Sequence, residues 1–118
     1  MRNDISERLI DFAAAVIRLI EKIPERTAAK RLSNQCIDCS TSIGANYEEA
    51  QAAESRKDFL HKLQVELKET RESYFWLRVL NKTTPDNPSF ESLIDEARQL
   101  RAILSKSVAT AKGKSKQT

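Results

Sequence analysis

Apolar residues recur every three and four positions along four separate stretches of this chain, and no other feature restricts its folding so strongly. In the first stretch Ile5, Leu9, Phe12, Val16, Leu19 and Ile23 follow one another at alternating steps of four and three, the period that puts side chains on one face of an α-helix. Ile10, Ala13, Ile17 and Ile20 form a second stripe beside them, which predicts burial of this helix against two neighbours. Asp4 with Glu7 has the pattern of a capping box, and Pro24 ends the helix because the residue before a proline is pushed out of the α region.

The second stretch opens at Thr27, a residue type suited to N-capping, and carries Leu32, Cys36, Cys39, Ile43, Asn46, Ala50 and Ala53 on one seam. Ser55 and Asp58 mark the next start, and Leu60, Leu63, Leu67, Thr70, Tyr74 and Leu77 continue the spacing. A turn through residues 81–88 breaks it, with Asn87 as cap and Pro88 at the first helical position. Phe90, Leu93, Ala97, Leu100, Leu104 and Ser107 then define a fourth helix. Only two Gly and three Pro occur in 118 residues, a composition that suits long helices and disfavours many-turned sheets. Short connections make successive helices antiparallel neighbours. The expected fold is therefore all-α: an antiparallel up-down-up-down four-helix bundle over residues 1–111, with helices at about 4–23, 27–53, 56–81 and 88–110 and a disordered basic tail at 112–118.

The formal charge is +3, yet Lys112, Lys114 and Lys116 supply all of it, so residues 1–111 balance seventeen basic against seventeen acidic side chains. A whole-domain polycation is thereby excluded, and the excess charge belongs to the tail. No apolar run reaches the ~20 residues needed to span a bilayer, and the N-terminus lacks a signal-peptide layout. A cytoplasmic protein without a membrane partner is expected.

Candidate chemistry is sparse. Cys36 and Cys39 form a CxxC, but at mid-helix core spacing rather than at a helix N-terminus, which reads as buried structural thiols. A zinc site needs more ligands than two Cys and the single His61 supply. Glu48, Glu49, Glu66, Glu69 and Glu72 lack the Glu-x-x-His that a di-iron bundle requires, and read as solvated faces and inter-helix ion pairs. Phosphate-loop, nucleophile-elbow and zinc-protease motifs are missing. No catalytic residue, cofactor or metal is expected, and the chain is read as a non-enzyme. Gly44 inside a helix implies a close backbone approach or a bend. Asn46 on the seam is expected to hydrogen-bond a neighbouring helix. Tyr74, Phe75, Trp76 and Leu77 are consecutive, so they point to every side of one helix; Tyr74, Phe75 and Trp76 are accordingly read as an oligomer interface.

The run Thr41-Ser42-Ile43-Gly44-Ala45-Asn46-Tyr47-Glu48-Glu49-Ala50, followed by Ser55-Arg56-Lys57-Asp58-Phe59, resembles the four-helix-bundle proteins of intervening sequences in bacterial 23S rRNA genes, a family related to the accessory variability protein of diversity-generating retroelements. Ser42, Ile43, Asn46, Glu49, Ser55, Lys57 and Phe59 match the family pattern. Gly44 stands where that family often has Pro, Gln35 and Cys36 where Arg is frequent, and Ala50 where Gly is frequent. The resemblance implies a homo-oligomeric ring, pentameric in characterised relatives, and, from the retroelement accessory protein, a basic surface with RNA or DNA and a reverse transcriptase as partners.

Two functions follow as expectations. One is an accessory module that binds nucleic acid at the bundle end where Arg2, Arg8, Arg56, Lys57 and Lys106 gather with Lys112, Lys114 and Lys116, although Asp4, Glu7, Glu48, Glu49, Glu54 and Asp58 share that end. The other is a protein-interaction scaffold with no nucleic-acid role.

Overall fold

The structure, a computed structural model, describes the backbone of residues 4–84 and 87–117 and the side chains of residues 5–84 and 87–113. Four helices account for it: α1 (Asp4–Ile20), α2 (Thr27–Gln51), α3 (Arg56–Thr83) and α4 (Ser89–Gln117), with no strand among the described residues. The backbones of α1 and α2, α2 and α3, α3 and α4, and α1 and α4 run side by side, whereas those of the diagonal pairs α1/α3 and α2/α4 stay apart and meet only through side chains in the core. The helices thus stand at the corners of a square, and the α1–α2 and α3–α4 faces lie on opposite sides. Bonds between Ser6 and Glu48, Ser40 and Ser73, and Arg8 and Glu96 fix the antiparallel registers.

Local chemistry sets the helix ends. The last turn of α1 tightens, with Lys22 and Ile23 bonding carbonyls three residues back, so the regular helix closes at Ile20 rather than near residue 23. Arg26, not Thr27, is the N-cap of α2 and offers no side-chain bond. Ser55 caps α3 by accepting from the Asp58 amide, and Asn87 Oδ1 accepts from the Ser89 amide at 3.0 Å at the start of α4. The backbone of α4 stays helical to Gln117, past residue 110 and through residues 112–117 of the segment read as a disordered tail, whose last residue lies outside the described ones. One glycine, Gly113, costs about 1 kcal/mol, too little to end a helix whose flanking residues are good helix formers.

The core is the main stripe of each helix: Leu9, Phe12, Val16 and Leu19 of α1 meet Cys36 and Ile43 of α2, Leu77 and Leu80 of α3, and Phe90, Ala97, Leu100 and Leu104 of α4. Each large apolar side chain so buried contributes about 1.5–3 kcal/mol relative to exposure. The second stripe of α1 is a correction. Ile10 and Ile17 are exposed, because a helix seated between α2 and α4 turns one stripe inward and has no third neighbour for the other. Gly44 faces Leu9 of α1, but a Cβ there would lie 3.6 Å from Leu9 Cβ, an ordinary van der Waals distance, so no close backbone approach requires the glycine. The Asn46 amide bonds the Ser42 carbonyl of its own helix at 2.9 Å, not a neighbouring helix. That carbonyl, one turn back, is the nearest acceptor a short side chain on α2 can reach.

Candidate nucleic-acid interface

The acidic and basic side chains of α3 are largely sorted onto different sides. Lys57, Lys68, Arg71, Arg78 and Lys82 are all exposed and fall on one stripe, and the positions that complete its three-and-four spacing are the exposed His61, Gln64 and Phe75. Of the acids outside the core, Glu72 borders it and the others stand away. Glu69 pairs with Glu72 and feels Asp38 of α2, so burial and these neighbouring carboxylates hold its carboxyl above the usual range. Lys62, on the same flank, bonds Glu49 of α2 at 2.6 Å. Asp58 and Glu69 therefore stand on the flank toward α2, while Glu72 borders the cationic stripe beside Lys68 and Arg71.

Helix α4 extends this surface. Its Arg101 guanidinium lies 4.5 Å from the Tyr74 ring centroid, and that of Arg78 lies 5.4 Å from it, so one ring holds two cations in place by their attraction to its face. Farther along, Lys112 joins Lys68, Arg71, Gln64 and Ser105, with one acid, Glu72, around an open groove of about 580 Å³ between α3 and α4. Phe75 is 56% exposed amid these cations and meets Trp76 edge-to-face at 5.0 Å. Tyr74 and Trp76 are half-buried against the core and Leu77 is fully buried. Of the consecutive aromatics, Phe75 alone among these described residues is left for an outside partner.

The residues singled out by sequence at the bundle end fare unevenly. Arg8 is engaged: Nε and Nη2 grip the Glu96 carboxylate at 2.8 Å each, and Nη2 also donates to Gln99 at 3.0 Å. It ties α1 to α4 instead of facing an outside anion. Lys57 and Lys112 belong to the α3–α4 surface, whereas Lys106 lines a different cleft with Ile5, Tyr47 and Phe59. Arg56 is exposed at the start of α3 and is already engaged in an interaction. Arg2 and the side chains of Lys114 and Lys116 lie outside the described residues. Glu48 and Glu49, accepting from Ser6 and Lys62, offset much of the positive charge at that end.

The remaining ionisable groups are closed in. Cys36 and Cys39 are buried and unbridged. Burial, with Cys39 beside it, pushes the Cys36 thiol up to about 12, and burial raises Cys39 as well. Glu66 is a further correction: it is not on a solvated face but 0% exposed, and neither carboxylate oxygen has a partner. Burial pushes its carboxyl up to about 8. Its place on the apolar stripe between Leu63 and Thr70 was the sequence signal for this, outweighed by the residue's charge. The basic stripe was equally open to view as a spacing of cations.

No curated protein matches the chain. A solved structure of a protein of unknown function from the S23 ribosomal protein family of Bacteroides thetaiotaomicron is 30% identical, covering 88% of this chain and 97% of its own, with a TM-score of 0.79. The family model for 23S rRNA-intervening sequence proteins matches residues 1–106. By that match over most of its length, the chain belongs to the 23S rRNA-intervening sequence protein family.

Proposed function

We propose that this chain is a non-catalytic helix bundle that holds single-stranded nucleic acid along its α3–α4 face. The observation that carries the reading is the stripe on α3, where five exposed cations recur at helical spacing, Asp58 and Glu69 lie on the flank toward α2, and Glu72 is the acid that borders the stripe. The stripe from Lys57 to Lys82 is about 37 Å long at 1.5 Å per residue, and a phosphate backbone can follow it as a line of like-spaced anions. Such contacts release counterions and carry no base information, so binding weakens steeply with salt and shows little sequence preference. The exposed ring of Phe75 offers a flat face for one unpaired base. The groups with strongly shifted ionisation, Cys36 and Glu66, are shut inside the bundle, which supports a binding role over a catalytic one.

Titration of short fluorescent RNA and DNA strands at several salt concentrations tests this. The expected slope of log affinity against log salt is about −3 to −5, and Arg71→Gln or Arg78→Gln each reduces its size by about 0.7. Phe75→Ala weakens single-strand binding by about 1–3 kcal/mol and leaves duplex binding unchanged. Absence of binding at low salt overturns the proposal and leaves the scaffold reading, in which affinity rests on apolar contact and is insensitive to salt.

A further inference from the structure

Glu66 lies toward the end of the bundle at which α4 is thinly held. The cross-helix pairs Ser40–Ser73 and Glu49–Lys62 bracket it and put it level with Asn46 and Tyr47 of α2. Tyr47 and Leu63, the latter one turn before Glu66, line a cleft of about 550 Å³ on one side of α4. Leu67, the residue after Glu66, lines the cationic groove of about 580 Å³ on the other side. Every residue of α4 from Ile103 to Lys112 borders one hollow or the other. Within that stretch only Leu104 and Val108 are buried.

The neighbouring helices are better tied at this end. Ser6 holds the start of α1 to Glu48, and Lys62 holds the start of α3 to Glu49. The side-chain ties of α4 come earlier, at Glu96, Gln99 and Arg101, whereas Ser107 bonds back to the Ile103 carbonyl of its own helix. The bonds from Arg8 to Glu96 and Gln99 also mean that α1, which begins at Asp4, ends its contact about one turn past Gln99. Beyond that level α4 runs on without it. A segment with so few buried apolar contacts opens at lower cost than the bundle as a whole.

A buried carboxyl that loses its proton has to find a donor or reach water. No donor stands ready. The titratable and charged groups at this level are Tyr47 of α2 and Lys106 of α4 in the cleft, Lys112 of α4 in the groove, Arg8 of α1 turned to Glu96, and Glu48 and Glu49 of α2 held by Ser6 and Lys62. Neither Glu66 oxygen has a partner among them, and burial alone raises its carboxyl.

We propose that Glu66 is the trigger of a local, proton-controlled opening: when its carboxyl loses its proton, the turns of α4 from Leu104 to Gly113 part from α2 and α3 while the rest of the bundle stays closed. The hinge lies between Arg101, held on the Tyr74 ring, and Leu104. Water then reaches the carboxylate where the two hollows merge. The closed form keeps the proton and the open form releases it, so the opening grows as the pH rises. Ser105, Ala109 and Lys112 leave with the segment, so the cationic groove comes apart too. The opening itself stands whether or not that groove binds nucleic acid.

Residue-resolved hydrogen exchange on the full chain, at pH 6 and pH 9 in low urea and corrected for intrinsic rates, is the direct measurement. The amides from Ser105 to Gly113 are expected to exchange through an opening separate from, and more frequent than, the global unfolding reported by core amides. Between the two pH values they should lose about ten- to a hundredfold of their protection. Glu66→Gln and Glu66→Met cannot ionise, and each should hold this opening unchanged across the interval. Exchange of the α4 end together with the core in one global event overturns the proposal. So does an equal loss of protection in wild type and both variants, or a lack of protection at the α4 end already at pH 6.

Discussion

Glu66 is the residue at which chemistry and fold are most at odds. A carboxyl with neither oxygen partnered is tolerable in the core only when protonated. The folded chain holds that proton up to about pH 8, whereas an exposed carboxylate releases it near 4.5. The contribution of Glu66 to stability is therefore highest below about pH 4.5, falls as the pH rises through that interval and levels off above about 8, a loss on the order of 2–4 kcal/mol. Urea unfolding from pH 5 to 9 should show this decline in the wild type and a flatter profile in Glu66→Gln; a wild-type profile with no decline would refute it. Glu66→Met removes the buried polar group altogether and should raise stability across the range. Gly44 makes the opposite case, a residue with room to spare. Its φ is not positive, and an added Cβ meets Leu9 at ordinary van der Waals distance, so Gly44→Ala should stabilise the bundle by about 0.5–1 kcal/mol in the same assay.

Among the elements, α1 is the shortest and the least enclosed. It is held by one apolar stripe and by Arg8, whose two-pronged grip on Glu96 and bond to Gln99 tie α1 to α4. The pair is about one-third exposed on the arginine side, so solvent screening keeps its contribution modest. Arg8→Gln should lower stability by about 0.5–1.5 kcal/mol and leave the salt dependence of nucleic-acid binding unchanged, because this guanidinium is turned to Glu96. A loss of binding with no loss of stability would return Arg8 to the interface. Helix α3 has the reverse character: its inner stripe is fixed by the core and its outer stripe is free for function. Its period was legible in the sequence, since Leu63, Leu77 and Leu80 announce the buried side, and Ser55 announces the start. The sorting of its charges followed from the same spacing but acquires meaning only once α2 and α4 are known to flank it on particular sides.

At the scale of the molecule, the bundle presents one cationic face and one apolar face on opposite sides of a shared core. Both cysteines belong to that core, so their reactivity reports on the whole fold. Each thiol should resist alkylation at pH 8 in the native protein and react at the rate of global opening once urea is added; prompt native labelling of either would contradict the burial described here. Much of this architecture was determined by sequence alone, because a three-and-four apolar period with almost no Gly or Pro leaves a chain little choice but long helices, and short connections make them antiparallel. The capping residues Ser55 and Asn87 were equally local, since a cap bonds an amide two or three positions away. What only the tertiary structure decided was the use of each side chain that could serve two ends. Arg8 could face an anion or Glu96, Ile10 and Ile17 could sit inside or outside, and Glu66 could be solvated or buried. The helical period allows either outcome in each case, and the choice depends on which neighbouring helix stands beside that face and how closely it approaches.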